Sequence, residues 1–205
     1  MSRSTSNTSE DPLSWIARVA SRLRTCWMLW TYPFNSVGEG FWAHYSCDLS
    51  RPASPYIKLG NSVALDCDVW LNIPEIPEGG EPLLLIEDGC KIGRRCMVSA
   101  KNRVHIGRDT ILSPQVLVMD HNHAFEEANV PISRQGITEG GTIRIEEGCW
   151  IGFGAVIVCS KGDLVIGPNS VVGANSVVTR SVPPYSVVAG NPAKLVKRFD
   201  PSKGE

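Results

Sequence analysis

Residues 145–157 read IEEGCWIGFGAVI, in which Ile145, Ile151 and Ile157 stand six positions apart. Outward from this stretch the spacing continues in both directions, in sets of three six-residue units that each open on an aliphatic residue. The opening residues are Leu59, Leu65, Leu71, Ile86, Ile92, Val98, Ile106, Leu112, Val118, Ile145, Ile151, Ile157, Ile166, Val172 and Val178. A fixed period of this kind indicates a repeat architecture rather than a coiled coil or a β-sandwich.

Two further positions of the repeat are restricted. The second position is glycine in six units, which suits a corner that needs unusual φ/ψ angles: Gly60, Gly93, Gly107, Gly152, Gly167 and Gly173. The fifth position is small or β-branched in most units, as at Cys149 and Ala155. Both the first and fifth side chains are expected to point inward, so each unit is a short strand and a corner. Three units close a triangle, and the pattern predicts an all-β solenoid, a parallel β-helix of about five triangular coils.

The sets of three units are separated by extra residues. These are residues 74–85, 104–105, 124–144 and 163–165, and each segment follows the third unit of its set. We therefore expect every excursion to leave from the same corner of the triangle. Since loops on a rigid scaffold usually carry function, the functional face is predicted along that corner. The alternative is that this edge simply tolerates insertions.

The composition limits the classes of function. A net charge of -1 argues against nucleic acid as a partner. The sequence contains no run of 18 apolar residues, so no membrane span is expected. The opening MSRSTSNTSEDP is not typical of a secretory signal. Seven cysteines without a CxxC pair are expected to be reduced and mostly buried in a cytoplasmic protein.

Three segments are predicted: a tail and helical arm at 1–56, the β-helix at 57–183 with a projecting loop at 120–144, and a C-terminal cap and tail at 184–205. Residues 13–30 have the spacing of an amphipathic helix, with Trp15, Ile16, Val19, Leu23, Trp27 and Trp30 on one stripe. Such a stripe usually packs on the protein body or a neighbouring subunit. The alternative is weak contact with a membrane surface, peripheral to its inner face. Leu195 and Val196 are expected to cap the open end of the solenoid, and residues 200–205 to be disordered.

The repeat occurs together with VMDHNH at 118–123, EGCWIG at 147–152 and the ending SVPPYSVVAGNPAK at 181–194. Over residues 57–198 the chain resembles the hexapeptide-repeat acyltransferases, most nearly the sugar O-acetyltransferases of galactoside and maltose type and of surface-polysaccharide synthesis. The resemblance implies a left-handed β-helix, a hand that the spacing does not determine. It also implies acetyl-CoA as acyl donor, no catalytic metal, and a homotrimer with active sites between subunits.

By this resemblance, His121 is the general base. A sugar hydroxyl is a poor nucleophile, and an imidazole that is largely neutral at pH 7 can take its proton during attack on the thioester. The alternative for His121 is an ordinary loop histidine, and a supporting role for His123 is left open. Either Asp120 or Glu126 is expected to hold the imidazole in one tautomer.

The resemblance also implies residues that support the reaction and bind the donor. Trp150 matches a tryptophan at the subunit boundary, with packing alone as the alternative, and the Phe153 N–H matches an oxyanion donor. Gly154 and Ala174 leave room for pantetheine. Four positions match those near the adenine and phosphates of CoA, with ordinary solvated charge as the alternative for the basic ones: Thr179, Arg180, Lys194 and Lys197.

Ser99 and Asn102 share the predicted corner with His121 and are expected to bind the acceptor. The sequence thus predicts acetyl transfer to a sugar hydroxyl in surface-polysaccharide or lipopolysaccharide synthesis. N-acetylation of an amino sugar or antibiotic remains an alternative, as does a non-catalytic β-helix scaffold. A metal enzyme of the γ-carbonic anhydrase type needs three converging histidines, and here only His121 and His123 are neighbours.

Overall fold

The computed structural model describes residues 14–200 and residue 202. The predicted polar tail at 1–12 lies outside these residues, as does most of the predicted disorder at 200–205. Within them one helix, α1 (Ser14–Thr31), precedes twenty short strands that form three sheets. Successive strands move from one sheet to the next, and nearly all pairs are parallel with a register that repeats from coil to coil. This is a three-sided parallel β-helix.

The strands are numbered in chain order and divide among the three sides of the helix. The first side contains β1 (Ser36–Val37), β4 (Ile57–Leu59), β7 (Leu84–Ile86), β10 (Arg103–Ile106), β13 (Thr142–Ile145) and β16 (Asp163–Ile166). The second contains β2 (Trp42–Ala43), β5 (Ala64–Leu65), β8 (Lys91–Ile92), β11 (Ile111–Leu112), β14 (Trp150–Ile151), β17 (Val171–Val172), β19 (Ser186–Ala189) and β20 (Lys194–Arg198). The third contains β3 (Asp48–Leu49), β6 (Trp70–Asn72), β9 (Met97–Ser99), β12 (Leu117–Met119), β15 (Val156–Val158) and β18 (Val177–Val178). Two short 3-10 helices occupy Ser54–Tyr56 and Ile132–Arg134.

The core is a column of aliphatic side chains along the helix axis. All the opening residues of the repeat, from Leu59 to Val178, are at most 1% exposed. The small residues at the fifth position, such as Cys149 and Ala155, are buried beside them. Because each opener lies over the opener of the coil before it, apolar surface is removed from water along the whole solenoid.

The second-position glycines serve a different purpose from the one expected. Gly152 has no positive φ; instead, a Cβ built on it would lie 2.7 Å from the backbone N of Ala174 in the next coil. The left-handed conformation falls two residues later, at Gly154 with φ 65° and at its neighbour Asn175 with φ 55°. Close approach of stacked coils, rather than backbone conformation, therefore selects glycine at the second position.

The β-helix begins one coil earlier than the predicted boundary at residue 57. Val37, Ala43 and Leu49 stand six apart and belong to β1, β2 and β3, which pair with the strands of the next coil. Alanine in place of a larger aliphatic opener hid this coil from the pattern. Three of the segments expected to be excursions belong to strands instead. Residues 104–105 lie in β10, residues 142–144 in β13 and residues 163–165 in β16. The true excursions, 73–83 and 120–141, both leave after the third side, as predicted.

Helix α1 lies on the first coil, but with its polar face inward. Ser21 and Thr25 are buried, whereas the apolar stripe faces outward. It was expected to pack on the protein body or on a neighbouring subunit, and it does not pack on the body of its own chain. The reason is that the first coil has no preceding coil to pair with. Thr25 Oγ1 bonds both the N–H and the C=O of Ala43 at 3.2 Å, and Ser21 Oγ accepts the N–H of Tyr45 at 3.1 Å. Buried backbone groups need such partners.

The C-terminal end is closed by backbone pairing. β20 turns back and runs antiparallel to β19, so it occupies the edge that a further coil would have used. Leu195 and Val196 are 52% and 63% exposed, so the expected apolar cap from these two residues is not formed in the single chain. Among the described residues, no helix has the length and apolarity needed to cross a membrane.

Candidate active site

The excursion that carries the predicted base begins where β12 ends. Asp120 and His121 follow Met119 directly, and the loop returns at Gly141, whose N–H donates to the Asp120 carbonyl at 2.7 Å. The same N–H lies 3.2 Å from the Cys159 carbonyl of the next coil. The base of the loop is therefore tied to the solenoid, and the residues at its start occupy a rigid position.

The Asp120 carboxylate is the organising group of this corner. It is fully buried, and it accepts backbone N–H groups from three consecutive residues of the preceding coil: Lys101 at 2.8 Å, Asn102 at 2.8 Å and Arg103 at 2.9 Å. Its Oδ1 atom also lies 2.9 Å from Nδ1 of His121. A buried carboxylate is stable only when its oxygens are satisfied in this way.

This contact determines which nitrogen of His121 can act as a base. Nδ1–H donates a hydrogen bond to the carboxylate, so in the neutral tautomer the hydrogen is on Nδ1 and Nε2 presents a free lone pair. The His121 side chain is only 7% exposed and is held in place. Of the two carboxylates left open by the sequence, Asp120 makes the contact, whereas Glu126 is exposed in the loop. His123 is exposed, and its backbone pairs with Ile137 across the loop.

A cleft of about 580 Å³ lies between the loop and the next coil. Its wall starts at Asn122, immediately after His121, and includes Phe125, Thr138 and Lys161. Phe125 is 66% exposed at its mouth. Of the residues that line the cleft, only Glu126 was a candidate from the sequence, because only the return path of the loop brings residues 135–140 and 160–161 beside residue 122. The cleft has the size and mixed lining of a small-molecule site.

The two predicted acceptor residues have structural partners. Ser99 is fully buried and its Oγ accepts a hydrogen bond from Asn72 Nδ2 at 2.9 Å, so Ser99 cannot touch an acceptor. Asn102 donates from Nδ2 to the Glu139 carbonyl at 2.7 Å and thereby clamps the loop. Lys101, which was not among the residues predicted from the sequence, also holds the loop: its Nζ donates to the Thr138 carbonyl at 2.7 Å.

Trp150 and Phe153 lie at a different corner of the same chain. β12 and β15 pair Leu117 with Val156, so Phe153 stacks on Pro114, at the start of the third side, whereas His121 follows its end. The Trp150 ring is about half exposed and donates from Nε1 to Ser113 Oγ at 2.9 Å. None of the described residues accepts a hydrogen bond from the Phe153 N–H. Within one chain, His121 and the Phe153 amide are therefore a whole side of the triangle apart.

The predicted CoA residues divide between the same two corners. Ala174 stacks on Phe153 one coil later, and Lys194 pairs with Ala189 at the end of β19, near that corner. Thr179 and Arg180 instead follow β18 at the His121 corner, with Thr179 at the position of Met119 two coils later. Gly154 and Lys197 complete the set, and the Lys197 Nζ lies 5.1 Å from the Phe199 ring centre. All the basic members are exposed.

The remaining histidines have other partners. His105 Nε2 lies 2.8 Å from Glu87 Oε1 on the first side, and His44 Nδ1 lies 2.8 Å from Ser46 Oγ near the N-terminal end. Across residues 14–200 no three His, Cys, Asp or Glu side chains come together as a metal site.

Sequence comparison finds acetyltransferases, although no protein-family model matches. The putative lipopolysaccharide biosynthesis O-acetyl transferase WbbJ of Escherichia coli is 31% identical over 127 residues, which are 59% of this chain and 63% of that protein. A chloramphenicol acetyltransferase of Agrobacterium fabrum is 32% identical over 137 residues, 66% of this chain and 59% of that protein. The chain thus spans less than two thirds of the length of these relatives.

Solved structures share the fold. A single-site mutant of AntD, an N-acyltransferase from Bacillus cereus, crystallised with dTDP-4-amino-4,6-dideoxyglucose and coenzyme A, superposes with a TM-score of 0.68 at 17% identity, over 85% of this chain and 89% of that one. A maltose O-acetyltransferase from Clostridium difficile has a TM-score of 0.51 at 21% identity, over 91% and 84% of the two chains. At these identities the likeness concerns the coiled architecture.

Proposed function

We propose that this chain, a homologue of the hexapeptide-repeat acetyltransferases, transfers an acetyl group from acetyl-CoA to a hydroxyl group of a sugar. The observation that carries the proposal is the pair formed by Asp120 and His121 at the base of the projecting loop. A buried carboxylate, fixed by three amides of the preceding coil, holds one imidazole nitrogen and leaves the other available as a general base. The left-handed winding that the resemblance implies belongs to the same proposal.

In the proposed reaction no acyl-enzyme forms. Nε2 of His121 takes the hydroxyl proton while the acceptor oxygen attacks the thioester carbonyl carbon. The carbon–sulfur bond then breaks, and the CoA sulfur leaves as thiolate and receives the proton from the imidazolium. The developing negative charge on the carbonyl oxygen requires a hydrogen-bond donor, and the backbone N–H of Phe153 is our candidate.

We infer that two subunits build each site. His121 and Phe153 lie at different corners of one chain, and the predicted CoA residues divide in the same way, so a second copy has to bring the two sets together. A trimer whose threefold axis runs parallel to the solenoid axis would place the His121 corner of one chain against the Trp150 corner of the next. The exposed rings of Trp150 and Phe153 favour this arrangement, since aromatic residues are enriched at interfaces.

For the acceptor, the loop cleft is the proposed site. Phe125 offers an apolar face, and Glu126 and Lys161 offer polar groups, which suits a sugar ring with its hydroxyls. One relative is named for lipopolysaccharide biosynthesis, which supports this kind of acceptor, whereas the relative named for chloramphenicol corresponds to the antibiotic alternative. We therefore propose a precursor of a surface polysaccharide or lipopolysaccharide as the acceptor.

The test is release of free CoA thiol from acetyl-CoA by the purified chain, measured across sugars, nucleotide-linked sugars, amino sugars and chloramphenicol. The expected result is acceptor-dependent thiol release with a sugar hydroxyl and a product that carries one added O-acetyl group by mass spectrometry. Preference for an amine would establish the N-acetyl alternative. Absence of turnover and of CoA binding under all conditions would favour a non-catalytic scaffold and overturn the proposal.

A further inference from the structure

The outward face of α1 is a continuous apolar surface. Trp30 is 84% exposed, Leu23 is 68% exposed and Trp15 is 60% exposed. Ile16, Val19 and Trp27 extend the same stripe at a spacing of three or four residues, and each is also more than 40% exposed. Tyr32 lies against Trp27, with the two ring centres 5.5 Å apart, and every residue of the stripe nevertheless remains more than 40% exposed. A contiguous patch of this kind on a folded protein marks an interaction surface.

The orientation of α1 is determined by its hydrogen bonds and packing contacts with the first coil. Besides Ser21 and Thr25, Arg24 donates from its guanidinium to the Cys47 carbonyl at 3.0 Å, and Met28 is fully buried. Turning the apolar stripe inward would remove these partners from the backbone groups of the first coil. The helix is therefore fixed with Trp15, Leu23 and Trp30 pointing away from the protein.

The charge of the helix indicates what covers this surface. Residues 14–31 contain three arginines and no Asp or Glu. Arg24 bonds the Cys47 carbonyl of the first coil. Arg18 and Arg22 are exposed and lie on one flank of the stripe. Tryptophan prefers the boundary between water and lipid, where its ring is apolar and its N–H remains solvated. A basic flank beside a tryptophan-rich stripe is the composition of a helix that lies in a bilayer interface.

We propose that α1 docks the protein on the surface of a membrane rich in anionic phospholipid. The stripe enters the headgroup region parallel to the bilayer, and Arg18 and Arg22 meet the lipid phosphates. The helix is about 27 Å long at 1.5 Å per residue, and it lies on the membrane rather than crossing it. Pairing two such stripes face to face would bring basic flanks together with no acidic residue in either helix, which disfavours a symmetric contact through α1. Contact with a different face of a second copy is an outcome that the experiments distinguish.

The experiment is vesicle flotation with the full chain. Vesicles contain either phosphatidylcholine alone or phosphatidylcholine with phosphatidylglycerol. The expected result is flotation with the anionic vesicles and about tenfold weaker binding to the neutral ones. The double variant Leu23→Ser/Trp30→Ser should lose about tenfold on anionic vesicles, while Leu195→Ser/Val196→Ser, which alters exposed apolar residues elsewhere, should bind like the wild type. Deletion of the helix is unsuitable, because it would uncover the first coil.

A second measurement needs no variant. Tryptophan fluorescence of the wild type is recorded with anionic vesicles that carry brominated acyl chains, and quenching is expected because Trp15, Trp27 and Trp30 would lie in the interface. Failure of the wild type to bind anionic vesicles, or equal binding by the Leu23→Ser/Trp30→Ser variant, would overturn the proposal. A change of molecular mass in that variant without vesicle binding by the wild type would identify the stripe as a subunit contact instead. None of these readouts depends on acetyl transfer.

Discussion

The Nδ1 atom of His121 lies 2.9 Å from the Oδ1 atom of Asp120, the residue just before it in the chain. Asp120 is in turn held by the amides of residues 101–103, one coil earlier. The orientation of the proposed base is therefore set by the stacking of two coils. The projecting loop contributes only its first two residues to this pair.

Replacement of the proposed base should stop turnover. We expect His121→Ala to lower kcat by about 10²–10⁴-fold, the usual contribution of a general base, with little change in CoA affinity. Thiol release and CoA binding by calorimetry measure the two effects. His105→Ala is the matched control, since that ring bonds Glu87 on the first side. Equal activity of His121→Ala and the wild type would remove the assignment.

Asp120→Asn should lower both stability and activity. The amide that replaces the carboxylate has one acceptor oxygen, and its NH₂ group faces backbone N–H donors, so buried donors lose their partner. Each such loss costs about 1–3 kcal/mol of unfolding free energy. Denaturant unfolding and kcat are measured together. Asp163→Asn, whose carboxylate accepts an exposed hydrogen bond from Thr142, should stay close to the wild type. A stable and fully active Asp120→Asn protein would contradict this interpretation.

Gly152→Ala should destabilise the solenoid. The added methyl group would lie 2.7 Å from both the Ala174 N and the Val172 O, and this backbone cannot move without separating two coils. Overpacking of this kind costs roughly 1–3 kcal/mol. Gly173→Ala is the matched control at the same repeat position one coil later, where the nearest atom is the Ala189 methyl at 3.0 Å. The melting temperature should fall clearly more for Gly152→Ala, and an equal effect would refute the steric argument.

The buried thiols should make the protein less stable at alkaline pH. Burial raises the pKa of the thiols of Cys90, Cys96 and Cys149 to about 11, from an ordinary value of 9.0. A raised native pKa means that the stabilisation is present below pH 9 and is lost as the pH rises towards 11, because only the unfolded chain can release these protons there. Melting temperatures from pH 8 to 11 measure the loss. Cys149→Ala should show a smaller decline, and an identical pH profile would contradict the assignment.

Much of the architecture follows from the sequence. The spacing of Ile145, Ile151 and Ile157 predicts three sides, an inward aliphatic column and an excursion at one corner, because a six-residue period can bury its openers in only one way once coils stack. The assignment of His121 as the base came from the resemblance and stays a prediction. The helical arm was predicted from the spacing of its apolar residues, and α1 confirms it. The early coil at Val37 was missed because Ala43 is too small to stand out as an opener.

Only the tertiary structure decided which groups meet. Asp120 is bonded by the amides of residues 101–103, Ser99 is buried beside Asn72, and His121 lies a full side away from Phe153. Each placement depends on the register between coils, which brings together residues that are 17 or more positions apart in the chain. The sequence shows that α1 has an apolar stripe, but it does not show which way the stripe faces. The unpaired backbone of the first coil decides this, because a buried N–H or C=O needs a polar partner more than Leu23 or Trp30 needs burial.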